Sequence, residues 1–242
     1  IKVHINQFYG IEINDFAVTV ATTALWISEA QMLAETERII KHDIEFLPLR
    51  SYSNIREGNA LSMSWDIIEH APKIPVLRAG MTYIVHKDKD AGLVSEDHTF
   101  YDEVELHTKD IHLGTKATTT EEIHYDYIIG NPPFVGARLM GQAQKDDVFA
   151  IFDGVKNNGN LDYVSCWYKK AANLMKGTSI RSALVSTNSI TQGEQVAILW
   201  KELFAQGVHI DFAHRTFIWD SEASLKAHVH CVVVGFSKAP SS

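Results

Sequence analysis

The chain has 242 residues and a formal net charge of −8, and 45% of its residues are hydrophobic. This composition is typical of a globular protein with a large core, and no apolar run reaches the ~18 residues that a bilayer span requires. The N-terminal residues lack the basic-then-apolar pattern of a signal peptide. Cys166 and Cys231 lie too far apart for a CxxC or a metal-binding motif. Two free thiols suit a reducing compartment, so we expect a cytoplasmic protein.

The first part of the chain alternates between strand and helix patterns. The apolar run Phe8 to Ile13 predicts a buried strand, and Asn14 or Asp15 is suited to cap the helix that follows. Apolar residues then recur at three- and four-residue steps, which predicts a helix over residues 16–41. A loop or short strand follows at residues 58–61. This alternation favours an α/β fold with a parallel sheet.

Residues 72–125 interrupt the α/β pattern. This stretch is rich in His, Thr, Lys, Asp and Glu and contains short alternating segments, which predicts an inserted β-hairpin region or small subdomain. Its histidines are scattered, so we expect no metal site there. Regular patterning then resumes, with strands predicted at residues 125–129, 182–186, 208–213 and 228–236 and helices at 162–176 and 192–205.

The sharpest chemical signal is the tetrapeptide Asn131-Pro132-Pro133-Phe134, directly after the strand at residues 125–129. Ligands of open α/β sheets bind beyond the carboxyl ends of the strands. Asn131 would offer its side-chain carbonyl, and Pro132 its backbone carbonyl, to the two hydrogens of an exocyclic aromatic amine. Fixed acceptors stabilise the positive charge that builds on such a nitrogen as it attacks a methyl donor. The alternative interpretation is a Pro-rich turn with Asn as the turn former.

The tetrapeptide and the segments around it resemble a known family. NPPF resembles the catalytic motif of amino-methyltransferases that act on DNA. The other segments resemble, in the same order, motifs of the adenine-N6 methyltransferases in type IIG restriction–modification enzymes: FYGIEINDFAVTVATTALWISEAQM, GNALSMSW, DYVSCWYKKA, ALVSTNSITQGEQVAILW and HRTFIWDSEASLKAHVHCVVVGFS. The resemblance implies a Rossmann-like domain that transfers a methyl group from S-adenosylmethionine to adenine N6 in DNA.

The same resemblance implies residues that bind the cofactor. Glu12, at a strand end, would accept hydrogen bonds from the ribose hydroxyls of S-adenosylmethionine, and Ile13 would flank its adenine. Asn59 stands where the family usually has Asp and would accept a hydrogen bond from the adenine amine, beside Ala60. A simple turn residue is the alternative for Asn59. Asn131 would contact the cofactor as well as the target base.

Aromatic residues are expected to hold an extruded base. Phe134 would stack on one face of the base, and Phe217 on the other, with Trp219 as the alternative because alternation places both on one strand face. His214 and Arg215 fit a phosphate contact and a solvated surface pair equally well. The neighbouring acidic residues Asp146 and Asp147 are interpreted as a solvated face.

Two parts of the family's enzymes have no counterpart in this sequence. The glycine-rich loop D/E-P-x-C-G-x-G, which binds the methionine part of the cofactor, should precede FYGIEI, where the chain has seven residues. The chain ends at residues 238–242, where a DNA-recognition domain would begin. We therefore expect residues 1–242 to be a partial catalytic domain, with poor cofactor binding and no activity by itself. The basic surface that grips duplex DNA, and any nuclease domain, would lie outside this acidic chain.

Two other functions stay open on the sequence alone. NPP-type loops also serve methylation of cytosine N4 or of a glutamine side chain in a protein. A non-catalytic α/β module that binds a nucleotide or a partner would leave residues 131–134 as a turn.

Overall fold

The computed structural model describes residues 3–41, 54–70, 119–219 and 229–238. The chain forms two compact units, one of residues 1–66 with 123–242 and one of residues 67–122. The described part of the second unit is an antiparallel pair of strands, β3 (Ile67–His70) and β4 (Thr119–Glu122). Most of the insertion expected at residues 72–125 lies outside the described residues and stays a prediction.

The N-terminal segment is a β–α–β arrangement. Strand β1 (Tyr9–Glu12) pairs in parallel with β2 (Asn54–Glu57), and helix α1 (Asp15–Ile40) connects them in sequence. The side-chain oxygen of Asn14 accepts the N–H of Ala17 at 3.1 Å, because a short polar side chain can satisfy a free donor of the first turn. The expected strand, cap and helix are thus confirmed, the helix within one residue at each end, although β1 is half-buried and not buried as expected.

Helix α1 exposes a large apolar surface. Phe16 is 73% exposed, Met32 64% and Ile39 70%, and none of the helix residues is buried. An 18-residue window of the helix has a mean hydropathy of 1.2, so by length and composition alone it could cross a bilayer. This finding departs from the expectation that no apolar segment is long enough to span a bilayer. Helices that join two parallel strands usually pack on a face of a sheet, so a long apolar sequence is also typical of such a connection.

In the described part of the chain, a second, mixed sheet contains four strands: β5 (Tyr127–Gly130), β6 (Arg181–Thr187), β7 (His209–Trp219) and β8 (Val229–Ser237). Their order in the sheet is β5-β6-β8-β7. β5 pairs in parallel with β6, whereas β8 runs antiparallel between β6 and β7. The chain is therefore a mixed α/β protein, as its alternating pattern predicts, but the expectation of a parallel sheet is wrong for β8, which runs antiparallel to both of its neighbours.

Three helices accompany this sheet: α2 (Gln142–Ile151), α3 (Ser165–Leu174) and α4 (Glu194–Ala205). α3 and α4 were expected within three residues of their observed ends. α2 was not predicted, because half of its residues are polar and Val148 is its one buried residue. Helix periodicity is weak where so little of the surface faces the core.

The core lies between the sheet and helices α3 and α4. The fully buried ring of Tyr168 stacks on Phe236, with ring centroids 5.1 Å apart, and shares a 2.7 Å hydrogen bond with Ser186. Trp200 donates its indole N–H to the carbonyl of Ile190 at 2.8 Å. These bonds satisfy the polar tips of large aromatic residues, which would otherwise be costly to bury. The packed core holds the carboxyl ends of β5 and β6 in fixed positions.

Candidate active site

The Asn-Pro-Pro-Phe segment begins at the carboxyl end of β5. Asn131 follows the last residue of the strand, its side chain is exposed, and it makes no hydrogen bond to any residue in the described ranges. Pro132 is buried, Pro133 is exposed and Phe134 is half-buried. The segment therefore presents an unbonded carboxamide to solvent beside a proline that is anchored in the protein.

The residues after Phe134 are tied to the start of α3. The carbonyl of Val135 accepts the N–H of Tyr163 at 2.9 Å. The N–H of Ala137 donates to Oδ1 of Asp162 at 2.8 Å, and this carboxylate is only 8% exposed. Hydrogen bonds to a buried carboxylate are among the stronger ones in proteins. This clamp therefore limits the movement of the segment that carries Asn131.

Asp162 also reaches the segment after β6. Its Oδ2 accepts a 2.5 Å hydrogen bond from the hydroxyl of Ser189, and Ser189 is bonded to Thr187 at 2.6 Å. The N–H of Asp162 donates to the side chain of Gln195 on α4 at 3.0 Å. The buried carboxylate of Asp162 thus links the segment after β5 to the segment after β6, the neighbouring parallel strand. Sequence reasoning missed it, although a lone acid at the start of an apolar helix was a visible signal.

Glu12, expected to bind the cofactor ribose, and Ile13, expected to flank its adenine, lie at the end of β1. Glu12 is half-buried, and its Oε1 accepts the N–H of Ile13 at 2.9 Å, while Oε2 makes no hydrogen bond to the described residues. Ile13 is 73% exposed. The N–H of Gly58 donates to the carbonyl of Glu12 at 2.8 Å, so the two strand ends are joined. Gly58 has φ +148°, and a Cβ there would lie 2.4 Å from the sulfur of Met63, so glycine is required.

Both ends of the Asn59 carboxamide are bonded within the protein. Its oxygen accepts the N–H of Leu61 at 2.9 Å, which is the geometry of a turn former. Its nitrogen donates to Asp147 at 3.3 Å. The carbonyl keeps one further lone pair, so the cofactor contact of Asn59 stays a prediction. Ala60, half-buried, follows in the same loop.

Asp147 does not belong to a solvated face. It accepts a 2.6 Å hydrogen bond from the hydroxyl of Tyr163 in addition to the bond from Asn59. Burial, together with this bond to Asp147, raises the pKa of the Tyr163 phenol well above its ordinary value. The interpretation of Asp147 as a solvated residue was wrong, because a partner 88 positions away in sequence faces it. Asp146, in contrast, is exposed on α2.

The region of Phe217 is shaped by irregular pairing of β7 with β8. The register shifts between Ile210 and Phe212 and again between His214 and Phe217. Such bulges redirect side chains and sharpen the local twist. Phe217, opposite Cys231, is 37% exposed, whereas the side chain of Trp219 lies outside the described residues.

A shallow cavity of about 460 Å³ lies beside the bulged part of β7. It is lined by Asn188 and Thr191, by residues 213–216 and by Val232. The hydroxyl of Thr216 donates to Oδ1 of Asn188 at 2.7 Å, which connects β7 with the turn after β6. His214 and Arg215 are both exposed. Their contact with phosphate stays a prediction.

Comparison with known proteins places this mixed α/β chain in the class of DNA-methyltransferase domains. A model of the family described as the MmeI DNA-methyltransferase domain matches residues 1–242. The chain belongs to this family. The resemblance to DNA methyltransferases of restriction–modification enzymes is therefore confirmed.

Two relatives show how much of a longer protein the chain represents. It is 36% identical over 236 residues to DNA methyltransferase A of Bacillus subtilis (strain 168), which covers 97% of this chain and 21% of the relative. It is also similar to the type IIL restriction–modification enzyme MmeI, solved in complex with DNA, with a TM-score of 0.70 and 34% identity. That match covers 100% of this chain and 26% of MmeI. The chain thus spans about a fifth of the Bacillus subtilis relative and about a quarter of MmeI.

Proposed function

We propose that this chain is the part of a DNA methyltransferase that transfers a methyl group from S-adenosylmethionine to adenine N6 in double-stranded DNA. The exposed carboxamide of Asn131, which makes no hydrogen bond to any described residue, carries this proposal together with the buried Pro132 beside it. A turn-forming asparagine would normally bond its own backbone, as Asn59 does. Asn131 does not, so its oxygen is available to an amine from outside the protein.

The chemistry follows from two acceptors that converge on one amine. Oδ1 of Asn131 and the carbonyl of Pro132 would accept the two N6 hydrogens of adenine and so stabilise the positive charge that develops during attack. S-adenosylmethionine supplies the electrophilic methyl group when bound. The nitrogen can lose its extra proton after transfer, so no general base has to act first. Because Asp162 holds Ala137 and the N–H of Tyr163 holds Val135, the acceptors are positioned before the substrate arrives.

The ends of β1 and β2 are suited to hold the cofactor. Oε2 of Glu12 has no hydrogen bond among the described residues and can accept from ribose hydroxyls. The exposed Ile13 offers an apolar surface to the adenine ring. We further propose that both described parallel pairs are parts of one Rossmann-like sheet. The edge-to-face contact of Tyr9, in β1, with Tyr125, just before β5, supports this, with ring centroids 5.6 Å apart.

Duplex DNA is the proposed substrate, since MmeI is described in complex with DNA. Extrusion of a base costs a few kcal/mol, and each aromatic stack returns ~1–3 kcal/mol. Phe134 and the partly exposed Phe217 are the proposed stacking residues. The net charge of −8 makes this chain a poor phosphate binder, so we assign most DNA contacts to a recognition domain elsewhere in the cytoplasmic protein.

The direct test is to map modified bases in cells that express the intact gene. We expect N6-methyladenine at one fixed sequence in the genomic DNA of a host without its own methyltransferases. Cells that express the Asn131→Ala protein provide the matched control and should lack the modification.

The product identifies the reaction. N4-methylcytosine at a fixed sequence would replace the adenine assignment with the cytosine alternative. Unmodified DNA, despite folded protein in the cells, would contradict methylation of DNA.

A further inference from the structure

The side chain of Lys170 on α3 is surrounded by backbone carbonyls of the loop after β2. Its Nζ donates to the carbonyl of Ala60 at 2.6 Å, to that of Leu61 at 2.9 Å, and to that of Met63. An ammonium group has three N–H donors, so all of them are used within one loop. The lysine lies more than 100 positions from its partners in sequence and is half-buried.

Three backbone carbonyls of this loop point towards the Lys170 ammonium. Few groups other than a cation can offer hydrogen bonds to three converging carbonyl oxygens at once. The carbonyl of Ala60 also accepts the indole N–H of Trp65 at 2.8 Å, and the Lys170 ammonium lies 5.3 Å from the centroid of the Trp65 ring. A cation close to an aromatic ring is attracted electrostatically. Without the ammonium, the carbonyls of Leu61 and Met63 would lose a charged partner and the loop would relax.

We propose that Lys170 is a positioning residue of the cofactor site, whose ammonium holds the loop of residues 59–63 in the shape that presents Asn59 and Ala60 to S-adenosylmethionine. This inference rests on the proposed function, which places the cofactor against that loop. Lys170 acts through the backbone and does not itself contact the reacting atoms.

The charge of Lys170 is sensitive to pH. Burial lowers its pKa from 10.5 to about 8, while the carboxylates of Asp66 and Asp147 act in the opposite direction. Arg56, from β2, bonds the nearby carbonyl of Ser64. Burial raises the pKa of the neighbouring Tyr125 to about 12, so the phenol stays neutral. Above about pH 8, Lys170 therefore loses its charge and one of its three donors, and the loop should bind the cofactor less well.

The test measures methyl transfer by the intact protein at varied S-adenosylmethionine concentrations. For Lys170→Met, we expect the KM for the cofactor to rise about tenfold while kcat changes little, because the acceptors at residues 131–132 are untouched. Lys170→Arg keeps the charge, but the planar guanidinium cannot place three N–H donors around one point as an ammonium does. An intermediate KM is therefore expected for this variant. The wild-type KM should rise above about pH 8, and that of Lys170→Arg should not.

Lys169→Met is the matched control. Lys169 is the neighbouring lysine on α3 and pairs with Glu202 on α4 instead of the loop. The same charge is lost from the same helix, so an unchanged cofactor KM is expected even if the melting temperature falls.

The inference is overturned if the cofactor KM of Lys170→Met equals that of wild type. If that variant does not fold, a wild-type KM that stays flat between about pH 7 and about pH 9.5, with a Lys170→Arg KM equal to it, overturns the inference instead. Failure of the proposed function is distinguishable, because wild type and the Lys169→Met control would then also transfer no methyl group, and both proposals would fall.

Discussion

Asn131→Ala is expected to lower kcat by about 10²–10³-fold or more, while the stability of the protein stays within about 0.5 kcal/mol of wild type. The activity falls because one of the two acceptors for the target amine is removed. The stability is preserved because the side chain is exposed and has no hydrogen-bond partner among the described residues. Loss of activity without loss of stability is the signature of a group that contacts the substrate.

The measurement combines methyl transfer to duplex DNA with thermal unfolding of the same preparations. Asn173→Ala, which removes an exposed asparagine of α3 far along the chain from the site, is the control and should retain wild-type kcat. Asn131→Asp keeps an acceptor oxygen in the same place and should retain more activity than the alanine variant. A kcat for Asn131→Ala within a few-fold of wild type would remove Asn131 from the catalytic role.

Asp162→Ala is expected to lower both stability and activity. Two hydrogen bonds to a buried carboxylate are lost, those from the Ala137 N–H and the Ser189 hydroxyl, at about 1.5–3 kcal/mol each. The free energy of unfolding should therefore fall by about 3 kcal/mol or more. Because Ala137 then loses its anchor and the segment is held only by the bond of Val135 to Tyr163, it can shift, and kcat should fall by about 10²-fold, the usual effect of a displacement of about 1 Å in an active site.

Denaturant unfolding and methyl-transfer kinetics of the intact protein check this expectation. Asp162→Asn preserves an acceptor for Ala137 and a polar partner for Ser189, so it should recover most of the lost stability. Asp146→Ala removes an exposed carboxylate that bonds Gln142 at 2.8 Å, and it should change the free energy of unfolding little. Wild-type kinetics in a stably folded Asp162→Ala protein would show that the clamp on residues 135–137 is dispensable.

Local chemistry explains why parts of the fold were predictable. The capping oxygen of Asn14 and the apolar period after it act within a few residues, so strand β1 and helix α1 could be placed from sequence. Helix α2 could not be predicted from the sequence, because Val148 is its one buried residue and its apolar periodicity is weak. The strand expected at residues 208–213 extends to Trp219, since β7 continues through two register shifts that β8 accommodates. A bulge depends on the partner strand, and alternation within one strand cannot reveal it.

The sequence by itself predicts the chemistry of the loop after β5, because Asn131 and two prolines would act through neighbouring atoms at a strand end. It also determined the family, since motifs in a fixed order depend only on the chain. Only the tertiary structure decided which charged groups hold the site together. Asp162, Asp147 and Lys170 bond partners that are distant in sequence, and burial makes those bonds strong. The physical reason is that burial and long-range contacts arise from packing, which no single segment of the chain contains.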